Sequence, residues 1–282
     1  MMDLFRFDRR SVGAVASGFV LWLACAPAPG LAMEDAVLEA LSSAQIVILG
    51  EVHDNAQHHL NQARAIERIA PRAVVWEMLT PEQAARMPDD RQDADQVADA
   101  LDWDGSGWPD FTDYYPIMMA APTARHYGAG VPRDVARRVF DAPAVEVFAE
   151  LFGARADPLG LETPLDAEAQ ATREAGQAAA HCDRLPADLL PGMVAAQRLR
   201  DAALAHVALN ALVETGGPVA VIAGNGHARI DQGIPTYLAR ADTAPSVVSM
   251  GQLERAPDEP PPFDVWVETV AAERPDPCAE FQ

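Results

Sequence analysis

Three short signatures hold the residues of this 282-residue chain best suited to chemistry. Gly50-Glu51-Val52-His53 sets a carboxylate two residues before an imidazole. A second carboxylate closes Val75-Trp76-Glu77. Gly224-Asn225-Gly226-His227 ends on a second imidazole. Two imidazoles and two carboxylates are the parts of a metal site, of a general acid/base pair, or of a cluster that polarises a bound ligand. Any one of them alone is most simply a structural residue. The same placement recurs three times here, and the glycines leave each His on a tight loop.

The shared placement is the end of an apolar run. Ile46-Val47-Ile48-Leu49 precedes Gly50, Ala73-Val74-Val75-Trp76 precedes Glu77, and Pro218-Val219-Ala220-Val221-Ile222-Ala223 precedes Gly224. Runs that are apolar on both faces suit parallel strands covered by helices. A helix opened by Asp54 or Asn55 and running to about Ile69 links the first two, which makes a βαβ unit. Ligand sites in open parallel sheets lie beyond the carboxyl ends of the strands. If the three strands are neighbours, Glu51, His53, Glu77 and His227 converge on one cleft. The expected fold class is α/β: a three-layer, mostly parallel sheet flanked by helices, in a single domain.

The helix after His53 carries two more imidazoles. His59 falls on the apolar stripe with Ala56, Ala63 and Ile66, while His58 lies to one side near Gln62 and is the freer candidate. The unpaired N–H groups at the start of this helix favour an anion. Further helices are expected over 81–104, 143–152, 166–180, 191–212 and 234–240. Strands are expected at 246–250 and, as an edge, at 263–267 after the proline-rich stretch 257–262. Trp103, Trp108, Phe111, Tyr114 and Tyr115 cluster around glycines and read either as a platform for a flat apolar ligand or as a lid on the core. Arg133, Arg137 and Arg138 read either as partners for a ligand's carboxylates or as helix-end charges paired with Asp134 and Asp141.

The charge balance removes whole classes of function. There are 42 acidic residues and 21 basic ones, a formal net charge of −21, and every basic residue is Arg. A chain this acidic does not neutralise phosphate backbones, so nucleic acid is not an expected partner. Lysine nucleophiles, Schiff bases and P-loop lysines are excluded.

Residues 1–32 read as a secretory signal peptide: basic at Arg6, Arg9 and Arg10, apolar from Val12 to Ala26, with a small-residue cleavage site ending at Ala32. The paired Arg9-Arg10 leaves ordinary or twin-arginine export open. Cys25 lies in a poor lipoprotein box, so lipid anchoring is not favoured. The remaining chain has 18 Arg against 40 acidic residues, a net −22. Cys182 and Cys278 are left as a possible disulfide of an oxidising compartment. Residues 33–255 are expected to form the main domain. Residues 256–282 form a proline-rich extension with an edge strand and a loose tail from Arg274.

Taken in order, these residues resemble the ChaN-like haem-binding proteins. The likeness rests on Ile48-Leu49-Gly50-Glu51-Val52-His53-Asp54-Asn55 with His58-His59 and Gln62, and on Val75-Trp76-Glu77-Met78. It continues through Trp108-Pro109-Asp110-Phe111 with Tyr115-Pro116, Pro132-Arg133 with Ala136-Arg137-Arg138-Val139, and His181-Cys182. Gln197-Arg198-Leu199-Arg200-Asp201 and Ile222-Ala223-Gly224-Asn225-Gly226-His227 close it. One departure is Tyr127-Gly128-Ala129-Gly130-Val131, short and glycine-rich where the family has a clear strand. The resemblance implies an exported haem-binding or haem-uptake protein of the periplasm or envelope. Its candidate haem contacts are His53, His58, Tyr114, Tyr115, Arg133, Arg137 and His227. A homodimer shielding the cofactor and an outer-membrane haem-uptake machinery are the partners it suggests. The wider Tiki/TraB and erythromycin-esterase-like group implies an alternative, a hydrolase. There Glu51, His53, Glu77 and His227 would act as acid and base or hold a divalent metal.

Overall fold

The computed structural model describes residues 35–153, 156–276, 278 and 279. The leader expected over residues 1–32, with Arg9-Arg10, Cys25 and the cleavage site, lies outside the described residues. The chain runs α1 (Asp35–Leu41), β1 (Ile46–Glu51), α2 (Ala56–Ile69), β2 (Ala73–Trp76), α3 (Pro81–Ala84), α4 (Ala94–Leu101), α5 (Phe111–Ala120), β3 (Arg125–Gly128), α6 (Arg133–Arg137) and α7 (Ala144–Phe152). It continues α8 (Ala167–Ala180), α9 (Leu190–Thr215), β4 (Val219–Gly224), α10 (Asn225–Ala228), α11 (Ile234–Leu238), β5 (Val247–Leu253) and β6 (Val265–Glu268).

The six strands form one sheet in the order β3-β2-β4-β1-β5-β6, and every pairing is parallel. β1, β2 and β4 are buried along their whole length. Successive side chains of a strand point to opposite faces, so a strand covered on both sides must be apolar throughout. Ile46 and Ile48 accordingly join Leu199, Ala202 and Leu204 of α9 in the core on one face. Val47 and Leu49 join Ile66 of α2 and Tyr114, Ile117 and Met118 of α5 on the other. Each such Val, Ile or Leu contributes roughly 1.5–3 kcal/mol by leaving water. The expected three-layer α/β fold is the one observed.

Local sequence accounts for the element ends. The Asn55 side chain caps α2 by accepting from the Gln57 N–H. Ala70, in the left-handed region, and Pro71 end that helix. The helical stretch expected over 81–104 is two short helices, because Thr80 and Gln83 cap α3 as a reciprocal box and Asp93 caps α4 afresh. β3 is short because it must pass close to its neighbour. A Cβ on Gly128 would lie 2.0 Å from the Thr80 carbonyl oxygen, and one on Gly130 2.7 Å from that of Glu77.

Two described residues of the stretch expected to be a loose tail from Arg274 are tied to the rest of the chain. Arg274 forms ion pairs with Asp54 and Glu254. Cys278 is joined to Cys182 in a disulfide, as the pair of cysteines suggested.

Candidate functional site

β4 lies between β2 and β1, so the three signatures end side by side. Glu51 is the last residue of β1. The Glu77 N–H donates to the Ile222 carbonyl of β4, which extends the β2 pairing by one residue and fixes the side chain over the strand ends. His227 stands on the single turn of α10 immediately after β4. Asn225 anchors that turn: its amide donates to the Gln252 carbonyl, and its oxygen accepts from the Gln252 N–H. Gly50 is required beneath it, since a Cβ there would lie 2.5 Å from Asn225 Oδ1.

Glu51 is the hub of the buried layer. Its Oε1 accepts from the Tyr114 hydroxyl at 2.8 Å and from His53 Nδ1 at 2.7 Å. Its Oε2 accepts from the Gln62 amide at 2.8 Å. His59 Nε2 lies 3.6 Å from the same oxygen, beyond hydrogen-bond reach, and neither ring nitrogen of His59 has a hydrogen-bond partner. Burial alone would raise the Glu51 pKa, but the imidazole contacts outweigh it and hold the group well below the carboxylate range. Glu51 in turn orients His53. With Nδ1–H donated to the carboxylate, Nε2 points into the cleft, 4.0 Å from Glu77 Oε2. The His53 side chain is 33 % exposed. Burial pulls its pKa down, while the bond to Glu51 and the charge of Glu77 pull harder upward, for a net rise.

A second array faces the first. His227 sits between Asp201 Oδ1, 2.6 Å from Nδ1, and Glu77 Oε1, 3.2 Å from Nε2. The other Glu77 oxygen accepts from the Gly224 N–H at 2.7 Å. Burial opposes charge on His227, yet the two carboxylates push its pKa up to about 10. For Glu77, burial is likewise overcome, chiefly by His227, and its pKa falls to about 2. For Asp201 burial wins and the pKa rises. His227 is therefore a buried imidazolium held by two acids, and His53 is the open imidazole.

These groups floor a cleft of about 980 Å³, at the upper end of the range for small-molecule sites. Met78, Trp108, Val131 and Leu204 give it apolar walls, and Arg133 and Arg200 also line it. The Trp108 ring meets His53 edge-on, with centroids 4.8 Å apart.

Several candidates lie elsewhere. His58 is fully buried: Nδ1 accepts from the Val52 N–H and Nε2 meets the Thr269 hydroxyl. It is structural rather than free, because the chain after β6 covers that side of α2. Burial pushes its pKa down to about 4. Tyr114 is buried with its hydroxyl committed to Glu51, and Tyr115 donates to the Arg91 carbonyl. Arg137 is exposed and does not line the cleft. The four residues offered as metal ligands turn their donor atoms on one another. Among the described residues no group of three or more His, Cys, Asp or Glu is arranged to hold a metal ion.

Three residues of this site were not singled out from composition or spacing: Gln197, Arg200 and Asp201. They stand at i, i+3 and i+4 on α9, one helical face. The signal was present in Gln197-Arg198-Leu199-Arg200-Asp201, but only the partner His227 shows which way that face looks.

The family model described as haem-binding uptake, Tiki superfamily, ChaN matches residues 37–238. The chain belongs to the ChaN family. Its fold is similar to that of ChaN of Campylobacter jejuni, a protein that binds haem cofacially. The likeness has a TM-score of 0.60 at 20% identity, covering 82% of this chain and 89% of that one. A weaker likeness, TM-score 0.42 at 16% identity over 85% of this chain and 80% of the other, is to an erythromycin esterase variant in its open conformation. No curated protein matches. The ChaN-family match spans Glu51, His53, Glu77, Arg133, Arg200, Asp201 and His227, every charged residue placed at the cleft above.

Proposed function

We propose that this ChaN-family chain binds haem in the cleft over the carboxyl ends of β1, β2 and β4. His53 carries the reading. Its Nδ1–H is held by a buried carboxylate while Nε2 faces a cavity of sufficient size, the arrangement that orients a metal-ligating imidazole and raises its basicity. The residues present fit the group. His53 Nε2 would meet the iron, Trp108, Met78 and Val131 would lie against the macrocycle, and Arg133 stands at the rim for a carboxylate. Bound haem supplies the iron that the chain would carry or deliver. The protein's part is to orient the ligand, bury the ring and exclude competing donors. His227 is unsuited to ligation because both ring nitrogens are engaged by carboxylates.

Titration of the purified chain with hemin is expected to give a saturable, shifted Soret band, and His53→Ala is expected to alter that spectrum and weaken binding at least about tenfold. No shift at stoichiometric hemin overturns the proposal. The cellular part of the proposal is export to the periplasm or envelope by residues 1–32, with action as a homodimer or beside an outer-membrane uptake machinery. Protein recovered from cell fractions is expected to begin at Met33 and to leave the cytoplasm.

One observation favours a second reading, a His/Glu-dependent hydrolase. The gap of 4.0 Å between His53 Nε2 and Glu77 Oε2 faces the cleft beside an imidazole already paired with Glu51. There His53 Nε2 would take a proton from water attacking an ester or amide, Glu51 would hold the resulting imidazolium, and that proton would pass to the alcohol or amine released as the scissile bond breaks. Ester cleavage abolished by His53→Ala and by Glu51→Gln supports this reading. Cleavage indifferent to both removes it.

A further inference from the structure

Arg200 and Arg133 differ from the ion-paired arginines of this chain. Arg68, Arg125, Arg138, Arg229 and Arg274 each form an ion pair with a carboxylate. Among the described residues Arg200 and Arg133 make neither a hydrogen bond nor an ion pair, although both line the cleft. They reach it from different elements, Arg133 from the first position of α6 and Arg200 from the middle of α9. The nearest acids do not serve them. Both Glu77 oxygens are taken, by His227 and the Gly224 N–H, and Asp201 Oδ1 holds His227. Arg200 is half-buried; burial and the nearby Arg133 push its pKa down against the pull of Glu77 and Asp201. Two like charges line the same cleft, near enough for Arg133 to act on Arg200, in a protein of net charge −21. Such a pair is relieved by an oxyanion, and a guanidinium presents its donors as a fork that matches a carboxylate.

We infer that Arg200, together with Arg133, forms the subsite that receives the carboxylate end of the ligand held in this cleft. This rests on the haem reading, under which the carboxylate is a propionate and His53 lies on the iron side. The pair gives the site direction: the apolar ring lies against Trp108 and Met78, and the charged edge turns toward α6 and α9. Because the rest of the surface repels anions, discrimination between a carboxylate and its neutral ester falls on these two side chains.

The test compares hemin with hemin dimethyl ester, in which both propionates are neutral, on the wild-type chain and on Arg200→Gln, Arg133→Gln and the double variant. The wild type is expected to bind hemin about tenfold tighter than the diester. Each single change is expected to narrow that preference and the double variant to bring it under about twofold. The Soret maximum of bound hemin stays where it is, because ligation by His53 is untouched. Arg133 is exposed at the start of its helix, so its variant carries the test even if Arg200→Gln unfolds. Equal binding of hemin and diester by the wild type, or a full preference kept by the double variant, overturns the subsite while the haem reading stands. Failure of the wild type to bind either porphyrin overturns the haem reading and the subsite with it.

Discussion

His227 shows what single residues do in this site. Burial opposes charge on the imidazole between Asp201 and Glu77, but the two carboxylates favour its cation, and its pKa rises from 6.5 to about 10. A raised pKa means the folded state binds the proton more tightly than the unfolded one. The stability it contributes is complete below about pH 6.5 and is lost as pH climbs toward 10. Glu77 acts at the other end: lowered from 4.5 to about 2, it contributes above pH 4.5 and is lost as pH falls toward 2. The thermal midpoint is therefore expected to fall between about pH 7 and pH 10. His227→Gln is expected to flatten that fall and to cost about 3–5 kcal/mol at pH 6, since it strands two buried acids. A wild-type midpoint unchanged across that range contradicts the assignment. Spacing pointed to His227 but not to Asp201, which lies 26 residues away on α9 and joins the site only because that helix crosses the sheet.

At the scale of elements, the strand ends and the turns after them leave little room around the site. Gly224 closes β4 with φ −59° and ψ 151°, a conformation open to any residue. Its lack of a side chain serves His53 instead, because a Cβ would lie 2.9 Å from His53 Nε2 and 3.2 Å from its Cε1. Gly224→Ala is expected to keep the fold, costing about 1–3 kcal/mol, and to push the imidazole off its line. Hemin titration beside thermal unfolding separates the two effects. Unchanged hemin binding and spectrum in a folded Gly224→Ala protein would show that the His53 position is not critical. The helix carrying His58 and His59 is the counter-example to reading faces from periodicity. The apolar stripe placed His59 correctly inside, but His58 is buried as well, because Thr269 and the chain after β6 close over α2.

The whole molecule is tied across its sequence. Cys182 follows His181, a lining residue of the cleft, and its disulfide partner lies 96 residues on. Arg274 anchors the same terminal segment to Asp54, one residue after His53. The terminal segment thus joins the chain beside His181 to the loop that carries Asp54. Closing a loop of this length removes chain entropy from the unfolded state worth about 4.7 kcal/mol. Reduction, or the paired change of both cysteines to Ala, is expected to lower stability by that amount in denaturant unfolding. Equal stability with and without reductant would show that the cross-link leaves the unfolded state unconstrained.

The parallel sheet, the βαβ unit and the grouping of Glu51, His53, Glu77 and His227 were legible in the chain itself. Strands buried on both faces must be apolar throughout, and polar residues can resume only where those runs end. The absence of lysine removes amine nucleophiles and Schiff bases, and the three signatures themselves offer imidazole and carboxylate. Only the tertiary structure decided which of these face the cleft. It turned Tyr114 inward to Glu51, covered His58, paired His227 with two acids and left Arg133 and Arg200 without a partner. The physical reason is that burial and pairing depend on contacts between residues far apart in sequence, here α9 with α10 and the terminal segment with α2. Local periodicity carries no record of what a helix face will meet.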